Sequence, residues 1–404
     1  MGNAPKLRFD GFSDAWEQRK WSDTVDISTD MVDPKTGLYD NLPHVAPGNI
    51  ESFTGRLYDN VKLVKDENLI SGKFRFNAGD IIYGKINPQL GKYVFAAFSG
   101  LTSADAYVLN AKNGVDQKYL YAVLQTQDFF DYSVSVSKRS GMPKINRDEL
   151  NAYSFLAPSQ EEQARIGQFL LALDNLITFH QRKCNALTKA KAFYLQNLFP
   201  QEGEKEPRLR LEGFTDSWDR YTLGDLYTER NERGNETLQI LTVSIHTGVS
   251  DGALEEDELG KSVRRSEDKT LYKHVYAGDL IFNMMRAWQG AIGVAKREGM
   301  ISPAYISAIP DEKVYPPFMN YLLRRKEIIS QINNLSYGVT DFRKRLYWDS
   351  FIKVKCCLPS VDEQKSITDV FEQLDILITR QEHRIKALKT MKKFMLQNMF
   401  AQEG

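Results

Sequence analysis

The chain has 404 residues, 42% of them hydrophobic and 26% charged, an ordinary globular composition with room for two or three domains. Lys plus Arg and Asp plus Glu each number 53, giving a formal net charge of +0. That excludes a protein that grips nucleic acid by bulk charge, so any such face must come from local basic clusters or from a partner's field.

The opening Met1-Gly2-Asn3-Ala4-Pro5-Lys6 has no apolar leader core and lacks the Ser/Thr that a myristoylation signal wants where Lys6 stands. No apolar run approaches the ~18 residues that cross a bilayer. The three cysteines, Cys184, Cys356 and Cys357, lack zinc-ligand spacing, and a cytoplasmic protein is expected.

Pro5-Lys6-Leu7-Arg8-Phe9 and Gly11-Phe12-Ser13-Asp14-Ala15-Trp16 open a first domain of mixed α/β character, expected over 1–157. Asp80-Ile81-Ile82-Tyr83-Gly84 reads as a strand, followed by the polar residues Lys85, Asn87 and Gln89. Gln117–Phe130 has helical spacing. A basic loop then gathers Lys138, Arg139, Lys144 and Arg147 around Gly141. Such cations neutralise phosphates, and arginine can also read guanine edges bidentately.

Pro158-Ser159-Gln160-Glu161-Glu162-Gln163 has the capping-box spacing of a helix start. Apolar residues recur every three or four positions after it, at Ile166, Leu170, Leu173, Ile177, Cys184 and Leu187. The spacing predicts a long helix within 158–200. About 39 residues at 1.5 Å each make a rod of roughly 58 Å, longer than a domain of this size is wide.

The whole pattern then returns at an offset of about 200 residues. Pro207-Arg208-Leu209-Arg210-Leu211 and Gly213-Phe214-Thr215-Asp216-Ser217-Trp218 reopen it, and a second domain is expected over 201–358. Leu280-Ile281-Phe282-Asn283 matches the first strand, with Asn283, Arg286, Trp288 and Gln289 as its polar–aromatic cluster. Pro317–Ile332 is the second helical stretch, and Arg343, Lys344 and Arg345 form the second basic loop. A closing helix within 359–404 begins at Pro359-Ser360-Val361-Asp362-Glu363-Gln364 and carries Ile367, Phe371, Leu374, Ile378, Ile385 and Leu388. The seam is interrupted at matching places, His180 with Gln381 and Lys191 with Lys392. Acidic starts and basic ends favour antiparallel pairing of the two helices, with opposed dipoles. In contrast, Asp23–Arg75 and Asp225–His274 share little, as two readers of different targets would.

Motifs for catalysis fail one by one. Gly260-Lys261-Ser262 resembles a P-loop ending, but Glu255 stands where that motif needs glycine, and Glu255–Glu258 would repel phosphate. Asn87-Pro88-Gln89 is not a base-methylating signature. Asp116-Gln117-Lys118 and Asp311-Glu312-Lys313 could be fragments of a metal-dependent nuclease site, a pattern common by chance. The five histidines lack metal-ligand spacing, and no metal site is expected.

Two variable domains, each closed by a Pro-Ser-x-x-Glu-Gln helix, resemble the specificity subunit of type I restriction–modification systems. Ala277-Gly278-Asp279-Leu280-Ile281-Phe282-Asn283 and Ser302-Pro303-Ala304-Tyr305 also fit. The resemblance implies an α/β (α+β) fold with two similar target-recognition domains in pseudo-twofold arrangement, joined by two long antiparallel coiled-coil helices. It implies a non-catalytic subunit whose domains each read one half of a bipartite DNA site. Its partners would be double-stranded DNA, two modification subunits and two restriction subunits, with S-adenosylmethionine, Mg2+ and ATP on those partners. The alternatives are a stand-alone DNA-binding or scaffold protein, or a nuclease with its own active site.

Overall fold

The computed structural model describes residues 4–138, 141–201, 203–235, 237–246, 248–250, 271–338 and 344–401. The fold is α+β and divides into two compact units, Met1–Cys184 with Arg380–Gly404, and Asn185–Thr379. Each unit therefore takes the start of one long helix and the end of the other.

In the first unit a four-stranded antiparallel sheet has the order Val25–Ile27, Ala106–Ala111, Ile81–Gly84, Tyr93–Phe95. Glu17–Lys20 pairs with Ser154–Ala157 beside it. The second unit repeats this plan with Tyr227–Arg230, Tyr305–Pro310, Leu280–Asn283 and Ile292–Val294, and with Asp219–Thr222 pairing Lys355–Leu358. The dissimilar stretches build dissimilar structure. The first unit adds a five-stranded sheet that includes Pro43–Val45 and Gly100–Thr102, while the second adds a hairpin of Thr242–Ser244 with Gly248–Ser250.

The helical stretches expected over Gln117–Phe130 and Pro317–Ile332 are each two helices, Gln117–Val123 with Gln127–Val136 and Pro316–Leu322 with Lys326–Leu335. The break comes from residues Thr126 and Arg325, which adopt extended backbone. Thr126 then accepts from the Phe129 N–H at 3.3 Å and caps the second helix. Apolar spacing runs through such a break because both short helices face the same core.

The long helices run Gln160–Asn197 and Val361–Asn398. In the first unit Ile166, Leu170, Leu173 and Ile177 are buried in the domain core, and Leu388, Met395, Leu396 and Phe400 of the second helix's end pack against the same cluster. Asp174 pairs with Lys392 and, further along, His180 Nδ1 meets Gln381 Oε1 at 2.7 Å, so here the helices run antiparallel. In the second unit Ile367 and Phe371 are buried with Phe199, while Leu374 and Ile378 are half-buried. Lys191 meets Asp375 at 2.5 Å, again antiparallel, with Leu187 half-buried nearby in sequence. The polar breaks in the seam are thus cross-helix pairs, and each disfavours a slipped register because slippage would strand a partly buried charge or polar group.

The repeated end motif has a clear packing role. Phe400 stacks on Tyr119 at 5.5 Å and meets Trp16 edge-on at 6.3 Å; Phe199 meets Phe318 at 5.3 Å and Trp218 at 6.2 Å. Each helix ends by plugging a phenylalanine under the tryptophan of the other repeat's domain. The preceding turns are held by Leu7 N–H on the Asn398 carbonyl at 2.8 Å and Leu209 N–H on the Asn197 carbonyl at 2.9 Å.

The Glu-Gln pair of the helix starts does more than cap. Ser159 and Ser360 each sit 3.4 Å from the third-position N–H, but the carboxylates turn away: Glu162 holds Arg8 and Glu363 holds Arg210, at 2.6 and 2.8 Å, with both carboxylates almost fully buried. Gln163 accepts from the Asp116 N–H and donates to the Pro158 carbonyl, and Gln364 does the same with Tyr315 and Pro359. Gly167 is required where its helix crosses Tyr119, since a Cβ there would lie 2.5 Å from the Tyr119 backbone nitrogen. Among the described residues no helix is long and apolar enough to cross a membrane.

Candidate nucleic-acid interface

In the first unit the strand Ile81–Gly84 hands the chain to Lys85-Ile86-Asn87, and the basic loop returns alongside it. Ile86 and Lys144 form a β-bridge, Asn87 N–H donates to the Pro143 carbonyl at 2.8 Å, and Ile145 N–H donates to the Lys85 carbonyl at 3.0 Å. Two clusters nearly sixty positions apart in sequence become one surface. Tyr107 is its centre. Lys85 lies 5.3 Å and Arg147 5.5 Å from its ring, while its hydroxyl donates to the Ile145 carbonyl at 3.2 Å.

Burial pushes the Lys85 ammonium pKa down; Asp105 opposes this, and Lys144 and Arg147 add to it by repulsion. A cluster whose cations repel one another is relieved by an anion. Lys144, Lys138 and Gln89 are exposed, and Gln89 donates to Asn87 Oδ1 at 3.3 Å. Arg147 is engaged within the fold, donating to the carbonyls of Ile27 and Ser28 at 2.7 Å each. Arg139 lies outside the described residues.

The second unit builds the same junction. Leu346 N–H donates to the Met284 carbonyl at 2.8 Å, just after the strand Leu280–Asn283, and Tyr337 pairs with Arg345 through two backbone hydrogen bonds. Tyr337 stacks on Tyr347 at 4.9 Å. Asn283 is buried and accepts from the Met285 N–H at 2.9 Å, so it shapes the turn. Trp288 donates to the Met285 carbonyl at 3.0 Å. Arg286, Gln289 and Arg345 are exposed, and Lys344 is half-buried. Arg343 lies outside the described residues, as does Gly260-Lys261-Ser262 with the acidic run before it.

Sequence reasoning missed Tyr107 and Asp105. Asp105-Ala106-Tyr107 alternates as a strand does, but nothing local showed which face meets the basic loop. The acidic-x-Lys triplets are turn formers. Asp116 caps a helix by accepting from Lys118 and Tyr119 N–H groups at 2.9 Å, and Asp311 accepts from Lys313 N–H at 3.0 Å. No group of carboxylates, histidines or cysteines among the described residues could hold a metal ion.

Comparison with known proteins bears on this surface. Residues 14–189 match the family of the type I restriction modification DNA specificity domain. The type I restriction enzyme EcoDI specificity subunit of Escherichia coli is 33% identical over 151 residues, 37% of this chain and 33% of that one. The MjaVIII specificity subunit of Methanocaldococcus jannaschii is 24% identical over 345 residues, 79% of this chain and 75% of that one. Over most of its length the chain is similar to type I specificity subunits. It covers a third of the E. coli relative's length and three quarters of the M. jannaschii one's. The type I restriction-modification S subunit from M. genitalium has the same fold, with a TM-score of 0.65 at 14% identity over 99% of this chain and 100% of that one.

Proposed function

We propose that the chain is a type I specificity subunit, non-catalytic itself, each unit of which reads one half of a bipartite, asymmetric DNA site. The observation that carries the reading is the recurrence of one junction, strand end against basic loop, in two domains whose remaining sheets differ. The shared junction supplies phosphate contacts; the unlike sheets supply unlike base preferences. Lys138 and Lys144 in the first unit, with Arg286, Gln289 and Arg345 in the second, are the contacts best supported by exposure, and Lys85 is half-buried. Arg139 and Arg343 lie outside the described residues, and Asn87, Gln89 and Lys344 complete the two surfaces. Arg147 and Asn283 act by holding them in shape.

The long helices would serve as the spacer. Thirty-eight residues each, at 1.5 Å per residue, span about 57 Å, more than one turn of DNA at ~34 Å. Their outer faces suit protein partners. Leu176 and Phe394 in the first unit and their repeat mates Leu377 and Phe193 in the second are large and exposed. Two equivalent patches fit two modification subunits, on which S-adenosylmethionine and the base chemistry would reside. Restriction subunits with ATP and Mg2+ would join that assembly.

A selection on randomised duplexes, using the chain with its modification subunit, tests the reading. Recovery of two short motifs separated by an unread spacer is expected. A single contiguous motif, or none, would favour the scaffold alternative.

A further inference from the structure

The long helices are unequally charged. Their segments in the first unit, 160–184 and 380–398, carry nine Lys or Arg against four Asp or Glu; those in the second, 185–197 and 361–379, carry three against five. Part of the first unit's excess forms one stripe. Lys386, Lys389 and Lys393 recur at three- and four-residue spacing, so they share a helix face, and all three are exposed. None is paired with a carboxylate among the described residues. The acids beside them are already engaged: Asp174 by Lys392, and Asp128 by the Tyr153 hydroxyl, which donates to it at 2.6 Å. Glu382, one turn before Lys386, closes the stripe. The repeat-related positions of the second unit are Asn185, Thr188 and Ala192, so the stripe is particular to the first.

The stripe adjoins the basic junction of the same unit. One cleft, of about 620 Å³, runs from Phe53 and Gln127 to Lys389 and Lys393. A second, of about 170 Å³, runs from the same Phe53 and Gln127 to Pro88 and Gly91. Pro88–Gly91 is the turn that follows Asn87, whose N–H holds the basic loop at the Pro143 carbonyl. Phe53 stands between the two clefts at φ 61°, a conformation rare for a bulky residue. Its N–H donates to the Gly91 carbonyl at 2.8 Å, and its ring is exposed. Phe53 thus joins the junction to the helix.

We propose that Lys386, Lys389 and Lys393 bind backbone phosphates of the DNA spacer just inside the first half-site. The proposal rests on the reading of the first unit as a half-site reader, and it adds a grip that carries no sequence information. From Lys386 to Lys393 the helix rises about 10 Å. Three phosphates of one strand cover a similar length, at about 3.4 Å each. Cations with no carboxylate partner meet phosphates without first breaking an ion pair, and they release the counterions that the phosphates hold. Phe394, the exposed ring suited to a protein partner, lies roughly 100° further round the helix, so the two faces are separate. The spacer is gripped from the first-unit side alone.

The test uses the full chain with its modification subunit, on a duplex carrying the site that the parent complex selects. The parent is compared with a variant carrying Lys386→Gln, Lys389→Gln and Lys393→Gln, surface changes that leave the core intact. The variant should keep the base preference of both half-sites. Its slope of log affinity against log salt should be shallower by about 2.7, for three phosphates at about 0.9 each. Ethylation interference at spacer phosphates beside one half-site should be present in the parent and lost in the variant. An unchanged slope, or interference that persists in the variant, would overturn the proposal. Loss of the modification subunit from the variant complex in sedimentation, with the slope unchanged, would overturn it too and assign the stripe to an acidic protein surface. A parent complex that selects no split site sinks the underlying reading; a parent that selects one, with a variant of unchanged slope, sinks the stripe alone.

Discussion

The two repeat-related ion pairs between the long helices should differ sharply in energetic weight. Asp174 and Lys392 are each 10% exposed at the side chain; Lys191 and Asp375 are 26% and 42% exposed. Removing one member of a buried pair strands the other charge and costs about 3–5 kcal/mol, whereas an exposed pair contributes about 0–1 kcal/mol. Lys392→Ala is therefore expected to destabilise the first unit by several kcal/mol, and Lys191→Ala the second by less than about 1. Burial raises the Asp174 carboxyl pKa even with Lys392 beside it. A carboxyl whose folded pKa is raised favours the folded state below its unfolded value and loses that contribution as pH climbs through the folded value. Without Lys392 the folded value rises further, so the deficit should be largest at neutral pH and shrink as pH falls toward the unfolded value of about 4. Urea unfolding at pH 7 and pH 5, with pulsed hydrogen exchange reporting each unit, measures both effects. Asp174→Leu with Lys392→Met should recover most of the loss. Equal losses for the two lysine variants, or a Lys392→Ala deficit independent of pH, would refute the reasoning.

Other expectations follow from single side chains. Arg345→Ala should weaken binding and leave the base preference of both half-sites unchanged. The slope of log affinity against log salt should fall by about 0.9 for each phosphate that is no longer neutralised; selection and salt titration with the variant complex read the two effects. Arg210→Ala leaves the nearly buried Glu363 carboxylate without its partner and should cost about 3 kcal/mol of second-unit stability, measured by urea unfolding. Phe199→Ala removes a fully buried ring from the aromatic plug and should cost about 3–5 kcal/mol, seen as faster amide exchange around Trp218 and Phe318. Burial pushes the Cys356 thiol up to about 12, so alkylation of the native protein at pH 8 should label half-buried Cys357 well before Cys356, as peptide mass spectrometry would show.

The repeat made much of this architecture legible. Strands such as Leu280–Asn283 and the two long helices are written in local periodicity, and local periodicity is what backbone geometry responds to. The seam's polar breaks at His180, Gln381, Lys191 and Lys392 were visible as breaks, though not as pairs. The junction of Lys85 with Lys144 was invisible, because a β-bridge between residues far apart leaves no local trace. The split of Gln117–Phe130 into two helices escaped for a related reason: Thr126 caps a helix only because both neighbours already face one core.

The sequence by itself determined the element types, their order, the duplication and the charge pattern that sets the helices antiparallel. Those features depend on interactions between neighbours along the chain. Only the tertiary structure decided that Phe400 plugs the first domain and Phe199 the second, and that Glu162 and Glu363 turn from capping to hold Arg8 and Arg210. Those outcomes depend on which groups leave water together, and burial is a property of the packed chain rather than of any segment of it.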